Sequence, residues 1–149
     1  MKRLRISWSI FISLLVFIGI YSCSDSDLDR LPTSRQTFVS QYFPGIVVSS
    51  YDQNTQNGSI TVKLRNDATL TFDGANRWTD INGNGSPIPP DLIYDQLPPQ
   101  LYNYLESIES TEGVYRLTRD ATHITVQLLD NRIEYDQTTK TINFRVRES

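Results

Sequence analysis

The chain has 149 residues, with 14 Lys and Arg against 17 Asp and Glu, one His and one Cys. A single cysteine excludes an intrachain disulfide, and one Cys with one His excludes a zinc-type cluster. The acidic excess disfavours nucleic acid, whose binding relies on neutralising phosphates with basic side chains.

Lys2, Arg3 and Arg5 precede an apolar run from Ile6 to Ile20. That run is about 15 residues long, short of the roughly 20 that a spanning helix needs, so residues 1–22 read as an export signal. Its end, Ile20-Tyr21-Ser22-Cys23, resembles a bacterial lipobox, which makes Cys23 the expected lipidated N-terminus and the membrane contact. Each buried acyl methylene contributes about 0.8 kcal/mol, and more than one chain is needed for stable anchoring. Ser24 to Asp29 is a polar acidic stretch with little capacity to pack, so 23–30 read as a tether. It resembles the Ser/Asp-rich stretch that sorts some Gram-negative lipoproteins, so the expected location is the cell envelope, lipid-anchored to the outer membrane, periplasmic or surface-exposed. Lys2, Arg3 and Arg5 leave with the signal, so the acidic excess of three grows to six. What remains is one domain of ordinary size, residues 31–149.

This domain repeats itself. Leu31-Pro32 and Leu97-Pro98 each open a segment of helical spacing, with Phe38, Val39, Tyr42 and Phe43 in the first and Leu101, Tyr104, Leu105 and Ile108 in the second. Thr33 or Ser34 is a candidate cap for the first helix, and Pro98 and Pro99 suit the first turn of the second. Pro44-Gly45 and Gly113 are the expected stops. Alternating strands follow each helix. Ile60 to Leu64 matches Ile124 to Leu128, and Leu70 to Asp73 matches Ile133 to Asp136, with short turns at Asn66-Asp67 and Asp130-Asn131. Further strands are expected at 46–51, 77–81, 114–118 and 141–147.

Each repeat, 31–81 and 97–147, is thus one helix followed by a four-strand meander, with 82–96 as a Gly- and Pro-rich joint. The expected fold class is α+β: one antiparallel sheet of about eight strands with both helices on one face. Ile60, Val62, Leu64, Leu70, Phe72, Ile124, Val126, Leu128, Ile133, Tyr135, Ile142, Phe144 and Val146 are expected to meet the helices. The other face is expected to show Thr61, Lys63, Arg65, Thr69, Thr71, Thr125, Gln127, Arg132, Glu134, Asn143, Arg145 and Arg147. Such a face is either a docking surface or the wet side of an antiparallel sheet.

Catalytic chemistry finds little footing. His123 alternates onto the polar face, and no Gly-x-Ser-x-Gly elbow or phosphate-binding glycine loop occurs. No enzyme activity and no cofactor are expected. Asp80, Asn82, Asn84, Gly85 and Asp91 fall at places 1, 3, 5, 6 and 12 of a calcium-loop template. Pro87, Pro89 and Pro90 stiffen its second half and a strand, not a helix, precedes it, so the segment reads as a linker and no metal site is expected.

The order of helix, strand pair, Phe72-Asp73, Trp78, an Ile88-Pro89 loop and a degenerate second copy resembles the PepSY-like family of secreted proteins, also described as beta-lactamase-inhibitor-protein-like. The resemblance covers about residues 31–147. Asn76 replaces the usual Gly two residues before the Trp and tolerates the same left-handed turn. In the second copy Tyr135-Asp136 is retained, while Thr139 and Thr141 stand where Gly and Trp would fall. The resemblance implies a doubled α-plus-β unit whose open sheet face binds a protein, as the namesake inhibitor does its enzyme. The expected role is a binding module that holds a protein or peptide, with inhibition of a protease or other enzyme as one use, and the alternative is a non-inhibitory accessory subunit of an outer-membrane assembly. The partner-binding residues expected are Lys63, Arg65, Thr71, Trp78, Arg132, Glu134 and Arg145. Trp78 also has a plainer reading, since the usual job of an aromatic strand residue is core packing.

Overall fold

The computed structural model describes residues 27–146. The signal, the lipobox with Cys23, the first half of the acidic tether and Arg147 lie outside the described residues. A 3₁₀ turn over Asp27–Arg30 comes first, with Leu28 packed against the core. The α-helices are α1 (Thr33–Tyr42), α2 (Pro90–Gln96) and α3 (Pro99–Ser107). The strands are β1 (Val48–Gln53), β2 (Ile60–Leu64), β3 (Thr69–Phe72), β4 (Trp78–Asn82), β5 (Arg116–Arg119), β6 (His123–Gln127), β7 (Asn131–Asp136) and β8 (Ile142–Val146). They form one antiparallel sheet in sequential order, β1 to β8. The α+β fold expected from the repeat is therefore the fold observed, with the meanders joined at β4 and β5, where Ile81 lies opposite Leu117.

The core lies between the helices and one sheet face. Ile60, Val62, Leu64, Leu70, Phe72, Ile124, Val126, Leu128, Ile133 and Tyr135 are buried there as their alternation requires. Val39 and Tyr42 of α1, Leu92 and Ile93 of α2, and Leu101 and Leu105 of α3 supply the opposite layer. Phe38 packs edge-on against Phe72 at 5.2 Å between ring centroids. Arg35, also buried, pins α1 across two turns: its Nη2 donates to the Gly58 carbonyl at 3.2 Å and the Asp73 carbonyl at 2.8 Å. Gly74 is required where those turns meet, since a Cβ there would lie 2.7 Å from the Asn57 carbonyl oxygen.

Four local expectations are corrected. Neither Thr33 nor Ser34 caps α1; Pro32 holds that place, and Thr37 Oγ1 instead donates back to the Thr33 carbonyl at 2.9 Å. The chain leaves α3 through Glu109 at φ 53°, with Ser110 N–H closing on the Leu105 carbonyl, before Gly113 is reached. The joint is not all loop, because Pro90–Gln96 forms α2 and buries Leu92 and Ile93. Along β8 only Ile142 packs against the core; Phe144 is 45% and Val146 69% exposed, because β8 is an edge strand that the helix layer leaves bare.

Three turns share one device. Asp73 Oδ1 accepts from the N–H groups of Ala75 and Arg77, Asp120 Oδ1 from Thr122 and His123, and Asp136 Oδ1 from Thr138 and Thr139. These bonds favour the ionised carboxylate. The Arg77 N–H chiefly, with its guanidinium, lowers the pKa of Asp73; the Thr122 and His123 N–H groups lower that of Asp120, and those of Thr139 and Thr138 that of Asp136. A carboxyl whose pKa is depressed on folding adds stability above its unfolded pKa, about 3.9, and that stability is lost as pH falls through the folded value. The thermal midpoint should therefore hold between about pH 7 and pH 5 and drop below about pH 4. The Asp73→Asn, Asp120→Asn, Asp136→Asn triple variant should show a shallower acid limb in circular-dichroism melts, and coincident limbs would refute the assignment.

Candidate functional site: the open sheet face

Among the described residues no helix covers the second sheet face, and the register sorts its side chains into two rows running across all eight strands. In one row Ser50, Lys63, Thr69 and Asn82 of the first meander continue into Arg116, Gln127, Arg132 and Arg145 of the second, each opposite the next. In the other, Asp52, Thr61, Thr71 and Asp80 continue into Thr118, Thr125, Glu134 and Asn143. The first row holds four basic residues and no acid, while the second holds three acids and no base. Neighbouring strands are about 4.8 Å apart and the rows about 6.8 Å apart along each strand.

Within these two rows the ion pairs among the described residues run from one row to the other. Arg116 clamps Asp80 with both prongs, Nε to Oδ1 at 2.9 Å and Nη2 to Oδ2 at 2.6 Å, and this bond raises the pKa of the guanidinium. Glu134 is shared: Arg132 Nη2 lies 2.7 Å from Oε1 and Arg145 Nη2 3.2 Å from Oε2. Like charges directly opposite on neighbouring strands repel, so the shared carboxylate is what permits Arg132 beside Arg145. Lys63 has no ion-pair partner among the described residues. Two shallow hollows share Gln127 and Arg132, one of about 210 Å³ reaching Arg116 and one of about 320 Å³ reaching Arg145.

Of the residues singled out from sequence, Lys63, Arg132 and Arg145 thus share the basic row, and Thr71 and Glu134 the other. Arg65 is exposed in the turn after β2. Trp78 is a correction: it is 2% exposed and lies on the covered side, so it presents no surface to a partner. The cause is a β-bulge, in which Phe72 lies opposite Trp78 but Thr71 opposite Asp80, leaving Thr79 as an extra residue. The indole is held by Gln96 Oε1 at 3.1 Å and capped by the Arg119 guanidinium 3.9 Å above the ring. Burial, and secondarily Arg77, lowers the pKa of Arg119.

Sequence reasoning missed Arg116 and the partnership of Asp80. Val114 and Leu117 are both buried at a spacing of three, which hides the parity of β5, and the bulge hides that of β4. The lone His123 is exposed, with Thr122 Oγ1 at 2.8 Å from Nδ1 and Asp136 3.7 Å from Nε2. On the helix side, the joint loop from Gly83 to Pro89 closes a mainly apolar hollow of about 220 Å³ against Tyr42, Phe43 and Ile46.

The calcium-loop template does not assemble. Asp80 is engaged by Arg116, Asn82 Oδ1 accepts from the Asn84 N–H at 2.9 Å, and Asp91 sits in the first turn of α2. Among the described residues no group of three or more His, Cys, Asp or Glu side chains converges on a metal position.

No family model matches the chain, and no curated protein matches it. Solved structures do. A proposed periplasmic protein of the DUF2874 family from Bacteroides vulgatus is 22% identical with a TM-score of 0.66, the match covering 78% of this chain and 91% of that one. A proposed calcium-regulated periplasmic protein from Bacteroides thetaiotaomicron is 19% identical with a TM-score of 0.65, over 78% and 91% of the two chains. A proposed periplasmic protein of unknown function from Bacteroides vulgatus is 18% identical with a TM-score of 0.62, over 79% and 94%. At these identities the likeness is one of fold.

Two outcomes follow from the placement of Trp78 and Asp80. Trp78→Ala should cost about 3–5 kcal/mol in urea unfolding, in the range for truncating a large buried aromatic, and a cost below about 1 kcal/mol would contradict its core role. Millimolar calcium should leave the thermal midpoint of the domain unchanged, and a rise would show that the loop rearranges to bind the ion.

Proposed function

We propose that this chain is a lipid-anchored binding module of the cell envelope, of the PepSY-like or beta-lactamase-inhibitor-protein-like type, that holds a protein or peptide on its open sheet face. The observation that carries the proposal is the bare face itself, with its charges sorted into two rows and held by ion pairs between them. A face that needed only to be wet would gain nothing from placing Arg132 directly opposite Arg145. The lipobox at Cys23 and the periplasmic character proposed for the three similar structures support an envelope location. Among the described residues no acid/base pair or activated nucleophile stands in a cleft, which favours binding over turnover.

A second reading, an accessory subunit of a larger outer-membrane assembly, is favoured by the apolar margin at the β8 edge, where Phe144 is 45% and Val146 69% exposed. It expects co-purification in fixed stoichiometry and no inhibition of any enzyme.

The test places a photo-crosslinker at Thr71, Thr125 or Gln127 on the open face, and at Ser40 on the helix side as control, in the lipidated protein in its own envelope. Crosslinks to one partner from the open-face positions alone are expected, weakened by the charge-reversing triple variant Lys63→Glu, Arg65→Glu, Arg145→Glu without loss of melting temperature. Equal yields from Ser40 would overturn the proposal.

A further inference from the structure

We propose that the occupant of the open face is an acidic protein segment, its carboxylates seated on the basic row formed by Arg116, Arg132 and Arg145. The inference rests on the binding role proposed above and names the chemistry of the partner.

Where the two rows cross β4 to β8 their charges do not cancel: Arg116, Arg132 and Arg145 stand against Asp80 and Glu134. Lys63 extends the basic row on the first meander and Asp52 the acidic one, while Asp136 lies beyond both rows, opposite His123. This end of the two rows is thus locally cationic on a chain that is acidic as a whole. Each guanidinium carries five N–H donors, and Arg132 and Arg145 each spend one nitrogen on the shared Glu134. Their side chains are 55% and 67% exposed, so the remaining donors are open to solvent. The hollows on either side of Arg132 provide room for carboxylate-bearing side chains between the arginines.

The row spacing favours protein over a uniformly charged polyanion. A polyanion broad enough to cross the face would meet Asp80 and Glu134 about 6.8 Å from the arginines. A peptide can alternate, placing carboxylates on one row and hydroxyls, amides or cations on the other, which presents Thr118 and Thr125 between its acids.

The experiment pans a display library of random ten-residue peptides against the mature chain from Cys23, in parallel with the Arg132→Ser, Arg145→Ser double variant and the Arg132→Lys, Arg145→Lys double variant. Thermal melts confirm that each is folded. The expected result is a pool rich in Asp and Glu, retention falling about tenfold in the Ser variant and persisting in the Lys variant, and loss of binding at about 1 M salt. Enriched peptides without acidic excess, or acidic peptides held equally by the Ser variant, would overturn the inference while leaving a binding module. No enrichment over a bare support would overturn both.

Discussion

Three residue pairs between β4 and β5 turn two four-stranded meanders into one sheet: Asp80 with Thr118, Ile81 with Leu117, and Asn82 with Arg116. An arginine of β5 reaches back to β4 on each side of this seam. Arg116 clamps Asp80 on the open side, and Arg119 lies over Trp78 and donates to the Gln96 carbonyl at 3.0 Å on the covered side. The Arg116 and Asp80 side chains are 42% and 30% exposed, so their pair contributes at most about 1 kcal/mol. Ile81 and Leu117, almost wholly buried, carry more of the seam's stability, and the ion pair carries its register. Register decides the face. A slip of one residue would turn the apolar set outward, and a slip of two would run the acidic row of one meander into the basic row of the other.

The two copies have diverged where the fourth strand meets the helices. In the first, Trp78 opens β4 and is tied through Gln96 to Tyr42, whose hydroxyl accepts from Gln96 Nε2 at 2.8 Å and donates to Asp95 at 3.1 Å. One aromatic thereby fastens β4 to α2 and α1. In the second copy the matching place holds Thr141, just before β8, and no helix follows within the described residues. Phe144 and Val146 are left in water on the side where alternation would bury them. The turn Asp survived in both copies because its work is local: one carboxylate oxygen closing two backbone N–H groups needs no neighbour from another element.

Much of this was legible because period-two alternation is a strong signal when one face is buried. It yielded eight strands within a few residues, their order and ten of the core positions. Even the substitution of Asn76 for glycine was readable, and its φ of 63° is the left-handed turn expected. Parity failed where the chain departs from ideal pleating. The extra residue at Thr79 moved Trp78 to the core and Asp80 to the open face, and no period-two reading separates those two positions. The helix α2 was hidden by its seven residues, too few for a period, although Pro90 at its start and the adjacent Leu92 and Ile93 were signs of it. The bare β8 edge depends on how far the helix layer extends, which is a property of the assembled layers.

The site itself was half legible for a related reason. Sequence placed Lys63, Arg132, Glu134 and Arg145 on one face, but which of them stand side by side is set by register across four strands. Only the fold reveals that Gln127 separates Arg116 from Arg132 and that Arg132 has Arg145 as its neighbour. The ion pairs are better understood as positioning devices than as stabilisers. An exposed pair adds little to folding, yet a guanidinium already held by a carboxylate has lost much of its rotamer freedom, so a ligand that meets its remaining donors has less entropy to overcome. Sharing Glu134 between two arginines holds both with one carboxylate and leaves one positive charge uncompensated, which is the feature the proposed binding role draws on.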